Sequence, residues 1–293
     1  MVGSTTPNYP ESLPGSGVLE SIVFRIDSTG SIVWSGTLRS ANFAEQPILL
    51  AIKPTPDGKY LIAANREVIT LAGTGSIESQ MLLQGETPGD VVIEDVVATA
   101  DGFFASGFGP RGSLLARFVG TSVAWSYGYE GLSFSVGTFL SLQFSPDQAL
   151  IAQTGGQPGS IWKVRLDGTV QWAVAKYGQE LAAVDASGRV SWGAIGLSAD
   201  GQPFAGLYND DNAPQSIVAT SDGGFAVAGS SLLGDGEVFV TKHDPSQPGC
   251  LRDFPFDPES DVFDAIGAPS LIPEPFAVLP SSIQFLPLTV VQS

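Results

Sequence analysis

Val218–Gly229 reads VATSDGGFAVAG, two apolar runs joined across Thr-Ser-Asp-Gly-Gly. Asp-Gly at such a junction has a mechanism. The Asp side chain makes a local Asx-type hydrogen bond, and Gly supplies a positive φ without a Cβ penalty. The flanks alternate apolar and small residues, which is the two-residue period of a strand. The unit recurs at Ile52–Ala64 (IKPTPDGKYLIAA), Val97–Gly107 (VATADGFFASG) and Leu142–Gln153 (LQFSPDQALIAQ), and more weakly at Ile195–Gly206 (IGLSADGQPFAG).

A second motif is a strand, a turn and a strand ending in tryptophan. It reads Phe24–Trp34 (FRIDSTGSIVW), Ala116–Trp125 (ARFVGTSVAW), Val164–Trp172 (VRLDGTVQW) and Ala183–Trp192 (AVDASGRVSW). Ser79 occupies the slot in the remaining copy, after Gly75. The slots at 34, 79, 125 and 172 are separated by 45, 46 and 47 residues. A repeat of that length with four strand signals predicts an all-β chain, a β-propeller of about six four-stranded blades, with five or seven as alternatives. Each unit runs hairpin first, then the Trp-ended pair. The N-terminus carries only the second half of a unit, and Ser216–Asp244 carries the first half plus one strand. A ring would close by pairing an N-terminal strand into the last blade, with the tail as a rival donor; closure removes exposed sheet edges. Residues 173–212 break the period and read as a compressed blade or an insertion.

Composition agrees with short strands and tight turns. Among 293 residues, 43% are hydrophobic, 15% are charged, and there are 35 Gly and 21 Pro. Gly and Pro disfavour helix interiors by about 1 and about 3 kcal/mol. The net charge of −17 repels phosphate backbones, so nucleic acid is not an expected partner. One cysteine, Cys250, allows no intrachain disulfide. There is no N-x-Ser/Thr sequon, no signal-peptide pattern at the N-terminus, and no apolar stretch long enough to span a bilayer. The expectation is a protein whose leader has been removed, or one that reaches its place by assembly.

Ser216–Asp244 resembles the repeat of bacterial secreted and surface β-propeller proteins. The matching residues are Thr220, Asp222, Gly223, Gly224, Phe225, Ala228, Gly229, Glu237, Lys242 and Asp244. Asp27–Trp34 and Asp185–Trp192 are similar to the D-x-x-G-x-I-x-W stretch that follows in those repeats. His243 stands where that pattern has an apolar residue, and Pro245–Cys250 replaces G-x-I-x-W. The resemblance implies the fold and no particular activity.

Residues with chemistry are sparse. His243 is the sole histidine, so Ser-His-Asp or Cys-His catalysis would have to use it, with Cys250 as its nearest thiol. It reads as a strand-end residue. One His and one Cys are too few for zinc. Gly107–Gly112 (GFGPRG) matches G-x-G-x-x-G, but Pro110 and the following strand make it a hairpin loop rather than a dinucleotide-binding turn. The carboxylate pairs Glu94/Asp95, Asp210/Asp211 and Asp235/Glu237 fit loop charge better than a glycosidase site. Asp257, Glu259, Asp261 and Asp264 lack a defined calcium loop. The repeated tryptophans read as packing between blades rather than a sugar platform. No catalytic residue, cofactor or metal is expected.

Three regions result: an N-terminal extension 1–17, the propeller 18–250, and a Pro-rich extended arm 251–293 with seven prolines. Phe276, Val278, Ile283, Phe285, Leu288 and Val290 are the candidate partner contacts of the arm, which would add a strand to a neighbour's sheet edge. The expected function is a non-enzymatic structural or adhesive propeller. It would contact other protein subunits of an extracellular, cell-surface or virion assembly, as a capsid-decorating, tail or surface-layer protein. The alternative is a carbohydrate-binding or carbohydrate-active propeller using loop carboxylates or aromatics, with a glycan as partner.

Overall fold

The computed structural model describes residues 2–5, 21–40, 49–84, 91–109, 112–130, 139–155, 159–176, 182–192, 195–206, 212–231, 238–243, 264–265, 270–273, 277–280 and 283–287. Among them every regular element is a strand. The chain begins with β1 (Val2–Thr5), β2 (Ser21–Ile26), β3 (Ile32–Ser40), β4 (Leu49–Pro54), β5 (Tyr60–Ala64), β6 (Glu67–Leu71), β7 (Ile77–Gln84) and β8 (Val92–Ala98). It continues through β9 (Gly102–Gly109), β10 (Gly112–Val119), β11 (Ser122–Glu130), β12 (Phe139–Phe144), β13 (Leu150–Thr154), β14 (Gly159–Val164) and β15 (Val170–Lys176). Then come β16 (Ala182–Val184), β17 (Val190–Trp192), β18 (Ile195–Leu197), β19 (Pro203–Gly206), β20 (Asn212–Ala219), β21 (Phe225–Ser231) and β22 (Val238–His243). The last are β23 (Asp264–Ala265), β24 (Ser270–Pro273), β25 (Ala277–Pro280) and β26 (Ile283–Pro287). Two compact units divide the chain: Met1–Gly128 with Pro273–Ser293, and Tyr129–Ile272.

The first unit contains three antiparallel sheets. They are β1-β2-β3-β26, β25-β7-β6-β5-β4, and a sheet in which β8 to β11 follow in order. The central strands of the second sheet, β5 and β6, are buried on both faces, which explains their near-continuous apolar runs. Ile62, Ala64, Ile69 and Leu71 pack against Val23 and Leu38 of the first sheet. Their neighbours Leu61, Ala63 and Val68 pack against Val96, Phe103, Ala105 and Phe118 of the third. The second unit contains β12-β13-β14-β15-β23, β16-β17-β18-β19 and β20-β21-β22. Ile151, Ile161 and Val174 of its first sheet close on Val190, Trp192 and Leu197 of the next.

The hairpin turns share one geometry. In the turn at Thr55–Lys59, Thr55 N–H donates to Lys59 O and Gly58 N–H donates to Thr55 O. The pattern repeats in the turns that start at Asp27, Ala72, Ser145, Arg165, Asp185, Ser198 and Thr220. The fourth residue of each takes a positive φ. Two forms of side-chain bracing occur. Where Asp starts the turn, it makes the expected Asx bond: Asp27 Oδ1 accepts from Thr29 N–H at 2.8 Å. In the Asp-Gly copies the direction differs. There the hydroxyl of the first residue donates to Asp, as in Thr55 to Asp57 and Thr99 to Asp101; Asp167-Gly168 is the exception, where Asp167 Oδ1 accepts from Thr169 N–H at 3.0 Å.

Three expectations meet the structure here. Residues 182–206 form a separate four-stranded sheet, with the Trp-ended pair first and the hairpin second, the reverse of the other units. The N-terminal strands do not enter the last sheet, which has three strands among the described residues. They build their own sheet, in which β1 covers β2 (Val2↔Arg25) and the tail strand β26 covers β3 (Phe285↔Leu38). Along β25 and β26 the arm pairs within the chain. Val278 pairs with Leu83, and Ile283 with Ser40, on the chain's own sheets. The physical reason is that β3 and β7 each present an unpaired edge that needs backbone partners. Phe276, Leu288 and Val290 lie outside the described residues.

Two consequences are measurable. Gln148 holds φ 64° where the other turns have Gly, a region that disfavours L side chains by about 1–2 kcal/mol. Gln148→Gly should therefore raise stability by about 0.5–1 kcal/mol in denaturant titration, after the entropy cost of Gly. Gly58→Gln should lower it by a similar amount. Truncation before Pro273 should uncover the edges of β3 and β7, lowering the melting temperature and promoting aggregation in calorimetry and light scattering. Unchanged melting would show that the tail strands add nothing.

Candidate functional site

The tryptophan slot organises the contact between adjacent sheets. In β3 a bulge at Val33 places Trp34 opposite Arg25. Both side chains reach one carbonyl of the next sheet: Arg25 Nη1 donates to Gly73 O at 2.9 Å, and Trp34 Nε1 donates to the same oxygen at 3.0 Å. The indole covers Gly75, where a Cβ would lie 2.9 Å from Trp34 Cδ2. The second unit repeats this. Lys163 pairs with Trp172 across an equivalent bulge. Lys163 Nζ and Trp172 Nε1 each donate to Ala199 O at 3.1 Å. The ring covers Gly201, where a Cβ would lie 2.7 Å from Trp172 Cδ2. The expectation that these tryptophans join neighbouring sheets holds for both.

Trp192 has the same offset from its turn but another fate. β16 and β17 pair without a bulge, so Trp192 sits opposite Ala182. It turns to the other face and is fully buried with Ile151 and Ile161. Arg189 takes over the link to the following sheet, donating to Gly223 O at 3.1 Å while it pairs with buried Asp185. Burial would raise the Asp185 pKa, but bonds from Ser187 and Arg189 outweigh it and hold the group below its ordinary value. Trp125 lies 5.8 Å from Phe104 and 5.1 Å from Tyr127 between ring centres.

Ser79 is the exception that creates a site. It holds the register of Trp34 and Trp172, directly after a bulge, and faces Thr70 instead of a cation. Neither side chain reaches the third sheet as an indole or a guanidinium would. A cavity of about 450 Å³ lies there, within the size range of small-molecule sites. Leu61, Met81 and Phe103 supply apolar wall. Thr70 and Ser79 line one side, and Gly120 and Thr121 the other. No atom lies within 4 Å of a Cβ placed on Gly120, in contrast to Gly75 and Gly201.

Charge surrounds this cavity. Asp57, Glu78, Asp101 and Lys59 line it. Lys59 Nζ lies 2.8 Å from Glu78 and 3.1 Å from Asp57. These two carboxylates raise the Lys59 pKa, Glu78 most. Thr55 and then Lys59 lower that of Asp57. Thr99 lowers that of Asp101, which also pairs with Arg117 at 2.8 Å. Even with Arg117 counted, carboxylates exceed cations. No sequence motif pointed to this place; the signal was the absence of tryptophan at position 79.

Other sequence candidates are placed as follows. Asp95 is buried and paired with Lys53 at 3.1 Å, while Glu94, half-buried, has its pKa raised by burial. Glu94 is the extra residue of a bulge in β8, between Ile93 and Asp95. GFGPRG lies at the β9–β10 hairpin, where Gly109 pairs with Gly112. The His243 backbone pairs with Phe225. Asp210, Asp211, Asp235, Glu237, Cys250, Asp257, Glu259 and Asp261 lie outside the described residues, and Asp264 is described only as part of β23. Among the described residues no three His, Cys, Asp or Glu side chains gather as metal ligands, and no helix is long and apolar enough to cross a membrane.

No family model and no curated protein matches the sequence. Among solved structures, the crystal structure of BBS1N in complex with ARL6DN, soaked with mercury, is similar at 14% identity, with a TM-score of 0.48 and 76% of each chain covered. A protein of unknown function from Bacteroides caccae is similar at 12% identity, with a TM-score of 0.30, covering 79% of this chain and 71% of that one. Likeness at this level decides neither fold nor function.

Two predictions follow the geometry. Gly75→Ala and Gly201→Ala meet an indole as well as a positive φ, so each should destabilise by about 2–3 kcal/mol. Gly120→Ala, facing open space, should lose only about 1 kcal/mol. Equal losses would refute the stacking. Asp147 and Asp222 are each lowered from 3.8 to about 2, first by Lys163 and Lys242 respectively. Their contribution to stability is complete above pH about 5 and lost as pH falls toward 2. The acid limb of a denaturation series should flatten in Asp147→Asn/Asp222→Asn.

Proposed function

We propose that the six sheets are blades of a β-propeller that serves as a non-enzymatic interaction component of a larger extracellular or virion assembly, with protein subunits as partners. The 45–47-residue period supports the fold, as does sheet formation by successive strands and the recurrence of the indole-on-glycine contact. For function, one observation carries the reading: an uncovered apolar face on β20–β22. Register places Ser216 and Val218 beside Ala228 and Ala226, and these beside Val240 and Lys242. Val218 is 58% and Val240 75% exposed, while Phe225 and Val227 of the opposite face are buried. Exposed apolar patches on a sheet mark protein contact or an aggregation hazard.

Further copies of the chain are the simplest subunits on which to test this. Sedimentation velocity should show concentration-dependent association of the wild type. Val218→Lys/Val240→Glu should remain monomeric with unchanged melting. A wild type that stays monomeric at every concentration, or a variant that associates equally well, would contradict the reading.

A further inference from the structure

We propose that the cavity between the second and third sheets is a receptor for an aromatic ring carrying a nearby positive charge, presented by a partner polypeptide. At two equivalent sheet junctions, a cross-strand pair of one cation and one tryptophan projects into the next sheet: Arg25 with Trp34, and Lys163 with Trp172. In each pair the cation and the indole N–H donate to a single turn carbonyl, and the ring covers a turn glycine. At the third junction the pair is Thr70 and Ser79. Both large side chains are missing at once, and both replacements line the space they leave.

What remains has the features of a site. Gly120 has a positive φ of 58° and an unobstructed face, in a two-residue β10–β11 turn rather than the longer turn that carries Gly75 and Gly201. Leu61, Met81 and Phe103 offer apolar contact to the body of a ring. Asp57, Glu78 and Asp101 offer acceptors for a cation, and Lys59 alone lines the cavity with the opposite sign. A flat ring gains contact area at small entropy cost. A tryptophan beside a lysine or arginine in a partner would restore the chemistry found at the other two junctions. The inference rests on the interaction reading only for the source of the ring.

Tryptamine, an indole with an ammonium group, is the minimal probe, and indole-3-acetate is its anionic counterpart. Titration calorimetry with saturation-transfer NMR on the full chain should show saturable tryptamine binding, with indole-3-acetate at least tenfold weaker. Ser79→Trp should supply the missing ring, raise the melting temperature and weaken tryptamine binding at least tenfold. Asp101→Asn, which leaves the cavity open, should weaken tryptamine more than it weakens neutral indole; it also guards against misfolding of the tryptophan variant. No saturation by tryptamine, equal binding in wild type and Ser79→Trp, or tighter binding of a monosaccharide than of either indole would overturn the proposal. Sedimentation of the valine variants is independent of this site, so the two readings fail separately.

Discussion

One turn carbonyl receives two donors from the adjacent sheet, and a ring lies on the glycine beside it. This arrangement at Gly73 and Gly75, and again at Ala199 and Gly201, is the constraint on which the sheet junctions depend. A charged donor bond contributes about 1.5–3 kcal/mol and a neutral one about 1 kcal/mol. The geometry couples three local features. A bulge must turn the tryptophan toward the next sheet, the next turn must present its carbonyl, and its fourth residue must tolerate both a positive φ and a ring against its backbone. Loss of any one changes the junction. The bulge is missing before Trp192, and that indole is buried toward the preceding sheet instead.

The same logic explains the cavity without any special loop. Between the second and third sheets the projecting pair is Thr70 and Ser79, and Gly120, in a two-residue turn, lies across the cavity from them. Binding sites in repeat folds commonly arise where one copy departs from the pattern while its surroundings keep it. Here the departure replaces large donors with small hydroxyls, so polar and apolar walls are both left uncovered. Thr55 and Lys59 hold the Asp57 pKa below its ordinary value, and Thr99 with Arg117 does the same for Asp101.

Local turn chemistry was legible in the sequence because it is encoded within five residues. The Asp-Gly and Asp-x-x-Gly spacing located the hairpins, and Trp34, Trp172 and Trp192 marked one offset, four residues after a turn glycine, with Trp125 one residue further. Strand partnership was less legible. β25 and β26 pair with strands some 200 residues earlier, and their side-chain pattern specifies two faces but not which edge lies beside them. The break at 173–212 was visible as a shortened period, yet strands of three or four residues carry too little alternation to reveal a reversed sheet. The candidate site was nearly invisible. It is marked by a serine where tryptophan is the rule, and its meaning depends on Gly120 lying opposite, across two sheets.

The most direct measurement is a crystal structure of the Ser79→Trp variant. The account predicts the new indole flat over Gly120, its Nε1 within hydrogen-bond distance of a carbonyl in the β10–β11 turn, and the cavity filled. An indole turned out to solvent, with the cavity still open, would contradict the claim that position 79 is a vacated junction slot.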